Sequence, residues 1–212
     1  MPGIDPLQSV IPALMRLVGA IVAFTMHEWA HAMTAYRLGD FTQREQGRLS
    51  LNPMRHLHWQ GLLLVAVFGF GWARPVRLSP ELLRNRRRDT VLVSLAGSAI
   101  NLLMCPILLA LVRISVIGMP EAAWLHEVLL TVYIVTLSIG VFNLLPLPPL
   151  DGFRALSAIT GWEESPNYGR ILQIGSIITL VCMVTPAASY VVTPVMEGIT
   201  QALLRALAAV GL

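Results

Sequence analysis

Two histidines four residues apart, with a glutamate between them, are the residues of this chain best suited to chemistry. They stand as His27-Glu28-Trp29-Ala30-His31. On a helix, positions i and i+4 share a face with Cβ atoms ~5–6 Å apart. Both imidazoles can then reach one divalent cation, and zinc takes imidazole nitrogens at ~2.0–2.1 Å. Glu28 lies one step round the helix, near such an ion but not needed as a ligand. That place suits a general base acting on metal-activated water. The pattern also arises by chance on solvated helices of soluble proteins, but here it sits in an apolar run. Ionisable groups at membrane depth are costly and usually face a cavity or one another. Counted back from Arg37 at ~1.5 Å per residue, the motif lies ~9–15 Å from that end of the helix.

A catalytic zinc usually has three protein ligands and one open position. The candidates for the third are His56, His58, His126, Glu163, Glu164 and Asp151. His126 falls on the opposite membrane side in the topology argued below. Glu163 and Glu164 read as a solvated loop pair. His56 and His58 are on the right side but follow a strand-like stretch. Asp151 follows Asn143-Leu-Leu-Pro-Leu-Pro-Pro-Leu150, where prolines break the helix. Freed backbone at membrane depth is tolerated where it lines a cavity, and a carboxylate there is a strong ligand candidate. Its alternative role is to cap the helix beginning at Gly152. Asn101 is another polar residue at depth. From the residues alone it reads as an interhelical hydrogen-bonding group, with Gly97 and Ser98 permitting close packing.

The elements that hold these residues are membrane helices. Of 212 residues 55 % are hydrophobic and only 13 % charged. Soluble domains carry roughly 25 % charged residues, so neither a soluble core with a polar shell nor a disordered chain fits. Apolar runs of about 20 residues span a bilayer. Such runs cover residues 11–36, 91–112, 128–150 and 171–196, with a further amphipathic segment at 198–212. The run 61–72 is too short to span and suits a re-entrant or interfacial piece. The expected fold is therefore an all-α polytopic membrane protein with about four to six transmembrane helices. Residues 47–51 alternate apolar and polar as a strand would, ended by Asn52-Pro53. Residues 1–9 have no basic region, so no cleaved signal peptide is expected. Cys105 and Cys182 sit in apolar runs, with no disulfide or metal spacing.

All 15 basic residues are arginines, and the net charge is +3. Ten of the arginines fall within residues 37–88 against three acids, Asp40, Glu45 and Glu81. Positive loops stay in the cytoplasm. This places segment 37–88 and the zinc motif towards the cytoplasmic face. The basic balance is thus topological, and no nucleic-acid partner is expected.

Three motifs together resemble the site-2 protease family of intramembrane zinc metalloproteases, the compact bacterial branch without a PDZ domain in particular. They are His27-Glu-Trp-Ala-His31, Gly97-Ser-Ala-Ile-Asn101 and Asn143-Leu-Leu-Pro-Leu-Pro-Pro-Leu-Asp151-Gly152. Gly47-Arg-Leu-Ser-Leu-Asn-Pro53 and Gly71-Trp-Ala-Arg-Pro-Val76, followed by Arg87-Arg-Asp89, are similar to that branch too. The matching order covers residues 11–152.

The resemblance implies one catalytic Zn²⁺ held by His27, His31 and Asp151, with Glu28 activating water. It implies that Asn101 touches the substrate backbone or the developing oxyanion. It also implies a small membrane-associated β element near residues 47–51, able to pair with an unwound substrate by strand addition. The expected organisation is a single integral-membrane metalloprotease domain over residues 1–212, with a catalytic core at 11–152 and C-terminal helices at 170–212. The expected partners are transmembrane protein substrates and the lipid bilayer, and the expected location is a bacterial cell membrane. Two departures stand out. Gly97-Ser98 replaces a frequent Gly-Pro, and His56-Leu-His58-Trp59 replaces a frequent His-x-Asp-Pro. A metal transporter using the same ligands is the competing reading, but transport sites tend to lie between repeats and none is visible. A catalytically silent scaffold would have no need of Glu28.

Overall fold

The computed structural model describes residues 6–68 and 71–212. The leader reading therefore falls largely outside the described residues, as do positions 69 and 70 of the 61–72 run. Helix α1 covers Pro6–Arg37, α2 is the short turn Thr42–Glu45, and α3 is Trp59–Phe68. Then come α4 (Arg86–Gly118), α5 (Ala123–Asn143), α6 (Asp151–Thr160), α7 (Tyr168–Val184) and α8 (Ala187–Ala209).

Three helices are long and apolar enough to cross a membrane: Val10–Arg37, Arg86–Gly118 and Ala123–Asn143. Helices α7 and α8 pass the same test together but are bent by 71° at their junction. Counted as one broken span they make four, the lower end of the expected range. The all-α polytopic architecture holds. At 33 residues, α4 is about 50 Å long and overshoots the ~30 Å hydrocarbon core. The expected run 91–112 is only its middle. Its start is well capped: Asn85 Oδ1 accepts from the Arg88 N–H at 3.1 Å, and Asp89 Oδ2 accepts from the Asn85 N–H at 2.9 Å.

Two expectations need correction. The run 171–196 is not one continuous span. Pro186 has no N–H to continue a helix, and Thr185 before it is pushed to an extended conformation, φ −115° and ψ 165°, as pre-proline residues are. Helix α7 ends there, and α8 runs on through residues expected in a separate last segment. The strand at 47–51 also fails to form; among the described residues there is no strand at all. Gly47 turns the chain at φ 67°. The carbonyls that a ladder would need are taken by side chains instead: the Trp29 indole donates to Leu49 O at 3.2 Å and His56 Nε2 to Ser50 O at 2.6 Å.

Helices α1, α4 and α5 pack against one another as the centre of the fold. Small residues let them approach closely, as is usual between membrane helices. Ala20, Ala23, Ala32 and Ala35 of α1 are fully buried. An added Cβ at Gly140 of α5 would stand only 3.2 Å from Asn101 Cβ on α4. Tyr133 and Leu137 of α5 join Cys105 and Leu109 of α4 and Val192 of α8 in the main core. Large exposed apolar side chains such as Leu103, Ile107, Ile177 and Val191 cover the outward faces, where lipid is the natural solvent.

Helix α3, at 10 residues, is too short to span a bilayer. It is followed by residues 71–79, which return extended beside its first turn. Gly61 and Gly71 permit that return, because a Cβ on Gly61 would collide with the Trp72 backbone and one on Gly71 with Gly61 O. The Arg16 guanidinium of α1 donates to Ala66 O in the last turn of α3 at 3.1 Å. That bond satisfies one of the carbonyls a helix end leaves open.

Candidate metal centre

The α-helical spacing of His27 and His31 does what it must: the two rings lie edge to face with centroids 4.6 Å apart. Asp151, the first residue of α6, completes the group across the bundle. Its Oδ2 lies 2.9 Å from His27 Nε2 and 3.1 Å from His31 Nε2. One ligand atom from each of the three residues falls within 4.8 Å of the others.

The residues fit a zinc ion on three counts. Two nitrogens and a carboxylate oxygen are an ordinary catalytic zinc set. His31 donates through Nδ1 to the Val93 carbonyl at 2.6 Å, which leaves Nε2 bare towards Asp151 and fixes the ring. Space has also been kept beside the rings: a Cβ on Gly97 would lie 2.6 Å from His27 Nε2. Gly97 therefore serves close approach to the imidazoles as well as helix packing.

Glu28 points beside this group and not into it. The Val76 N–H donates to its Oε2 at 2.9 Å, and among the described residues Oε1 carries no hydrogen bond. His27, His31, Asp151 and Glu28 all line one cavity of about 1020 Å³. Its walls come from Phe24 of α1, the returning segment at Trp72 and Pro75, Ile139 of α5, and Cys182 and Val192 of α7 and α8. The cavity is mostly apolar, with some polar side chains among its walls, as is usual in binding sites.

Of the six candidate third ligands, only Asp151 joins the histidines. His56 is fully buried in the arginine-rich segment, bonded to Ser50 O. His58 lies in the same segment. His126 reaches Ser115 O and Met119 O, each at 3.0 Å, at the far end of α4. Glu164 pairs with Arg87 at 3.2 Å and Glu163 approaches Arg86 at 3.8 Å. Asn101 is fully buried behind His27 and is not part of the cavity wall. The Val93 carbonyl and the Val76 N–H were invisible to sequence reading, since backbone groups carry no residue signal. Gly97 offers one, as a glycine in mid-span, although helix packing alone also accounts for a glycine there.

A model of peptidase family M50 matches residues 112–186. YwhC of Bacillus subtilis, whose name assigns it to the zinc metalloproteases, is 39 % identical over 207 residues, 95 % of this chain and 94 % of its own length. Rip2 of Mycolicibacterium smegmatis, named in the same way, is 34 % identical over 190 residues, 87 % of this chain and 72 % of its own. Rip2 of Mycobacterium tuberculosis strain H37Rv is 31 % identical over 189 residues, 86 % of this chain and 71 % of its own. No solved structure matches the chain.

Proposed function

This chain belongs to peptidase family M50, the site-2 type of zinc protease, and we propose that it hydrolyses a peptide bond in or near the membrane-spanning segment of membrane-protein substrates. The observation that carries this reading is the meeting of His27, His31 and Asp151 in the wall of a large, mostly apolar cavity that Glu28 also lines. The two histidines and Glu28 belong to a helix long and apolar enough to cross the bilayer.

His27 and His31 through Nε2, and Asp151 through its carboxylate, would hold the zinc. A bound zinc supplies Lewis acidity to the scissile carbonyl and lowers the pKa of water. Glu28 is the general base. It takes a proton from the attacking water as hydroxide adds to the acyl carbon, then delivers that proton to the nitrogen as the C–N bond breaks. The Val76 N–H holds one carboxylate oxygen, so the other is free to accept. A substrate helix must unwind first, because its carbonyls are already bonded within the helix. The apolar cavity gives the unwound side chains a place outside water. The arginine-rich segment 37–88 orients the site towards the cytoplasmic face of the cell membrane, from which water enters.

The test compares the membrane proteomes of cells expressing wild type and Glu28→Gln. Fragments ending within membrane spans should accumulate only with wild type. Purified Glu28→Gln should keep its zinc, since Glu28 is no ligand. Equal fragment patterns from the two strains would sink the reading.

A further inference from the structure

Arg48 is only 5 % exposed, and its guanidinium meets carbonyls instead of a carboxylate. Nη1 donates to Arg55 O at 2.8 Å and to Arg74 O at 3.1 Å, and Nη2 to Pro75 O at 3.4 Å. A buried guanidinium is costly unless its donors are satisfied, and this planar fork suits several acceptors at once. The two later carbonyls belong to the strap, residues 74–79, that crosses beside Glu28. Other bonds fasten the same strap. The Arg74 N–H donates to His56 O at 2.8 Å, Gln43 Nε2 to Arg77 O at 2.9 Å, and the Ser79 N–H to Asp40 Oδ2 at 3.2 Å.

The Pro75 carbonyl and the Val76 N–H are two ends of one peptide unit. That unit is planar, and trans here, so its C=O and N–H point in opposite directions. Arg48 takes the carbonyl on one side, and Glu28 takes the N–H on the other at 2.9 Å. Fixing one end fixes the aim of the other.

We propose that Arg48 is a positioning residue for Glu28, holding the Pro75–Val76 peptide so that its N–H fixes the carboxylate. This rests on the reading of Glu28 as the general base. Without Arg48 the Arg74 and Pro75 carbonyls lose their donor and turn to water, and the Val76 N–H turns with them. Lysine does not replace it, because an ammonium is a point donor without the fork.

The test uses the full zinc-loaded chain in detergent micelles, with a fluorescently labelled single-span peptide as probe. Arg48→Met should lower kcat roughly 10- to 100-fold, the usual effect of losing a partner that orients a catalytic group. KM should change little, and zinc content should not change. Val76→Pro removes the donated N–H and leaves Arg48 in place, and it should lower kcat by a similar factor. The double variant should be no slower than either single one, whereas a merely structural Arg48 would give losses that multiply. Hydrogen exchange over residues 72–79 should rise in Arg48→Met while α4 and α5 stay protected. The inference is overturned by a wild-type kcat in Arg48→Met, by multiplicative losses, or by unchanged exchange over the strap. If the probe is cut equally by wild type and Glu28→Gln, the protease reading fails, and the exchange measurement alone decides whether Arg48 holds the strap.

Discussion

Asn101 stands directly behind His27: its amide nitrogen is 3.5 Å from His27 Nδ1, and both side chains are buried. Asn101 Oδ1 has no partner among the described residues. The two ends of an amide are exchanged by a half turn of the side chain, and which is which is settled by the hydrogen bonds available. With Oδ1 turned towards the ring, it accepts from His27 Nδ1–H. His27 Nδ1–H then has its acceptor, and His27 Nε2 is left free to bind a cation. This is the support that metal-binding histidines normally receive. Asn101→Leu is therefore expected to weaken zinc binding roughly 10- to 100-fold, measured by competition with a chelator. If Asn101 acts only by touching substrate, zinc affinity will stay at the wild-type value and KM alone will change.

The loop that delivers Asp151 is braced from an unexpected side. Thr179 of α7 donates its hydroxyl to Pro148 O at 2.6 Å, and this bond is buried. One turn earlier, Gly175 lies flat against the same proline, where an added Cβ would stand 2.7 Å from Pro148 Cδ. Thr179→Val removes the donor and leaves a buried carbonyl unsatisfied, a loss of about 1–3 kcal/mol. Gly175→Ala favours the helix itself but displaces the proline ring. Both variants are expected to weaken zinc binding through Asp151 while α7 stays helical by circular dichroism. Wild-type zinc affinity in both would show that the loop holds Asp151 without α7.

What could be read from residues alone divides along physical lines. His27, Glu28, His31 and Asp151 announce themselves because ionisable side chains in apolar surroundings need a reason. The three central spans were legible because burial in lipid demands long apolar runs. The break between α7 and α8 is present in the sequence as Pro186, but an unbroken apolar run masks the missing N–H. The strand at 47–51 failed for a different cause. Alternation describes side chains, and a strand needs free backbone partners, which Trp29, His56 and Arg48 take up here or in the segments beside it. The supporting bonds from Val93, Val76 and Thr179 depend on which elements meet in space.

The arginine-rich segment carries its own pH response. His56 is fully buried, donates from Nε2 to Ser50 O at 2.6 Å, and leaves Nδ1 without a partner among the described residues. Burial pushes its pKa below the usual value; the Ser50 bond and the more distant Glu28 oppose that, and the neighbouring Arg48 charge adds to it. The folded chain thus prefers the neutral ring. In the unfolded chain the ring titrates near 6.5. The stability that neutrality confers is therefore complete above about pH 6.5 and is lost as the pH falls from there towards the folded value, by at most about 1.4 kcal/mol per pH unit. His56→Gln keeps a donor for Ser50 O and cannot titrate. Between about pH 7.5 and pH 5.5, wild type should lose protection against hydrogen exchange over residues 48–57 and 72–79 relative to His56→Gln, both held at saturating zinc. Parallel losses in the two proteins would assign the acid response to another group.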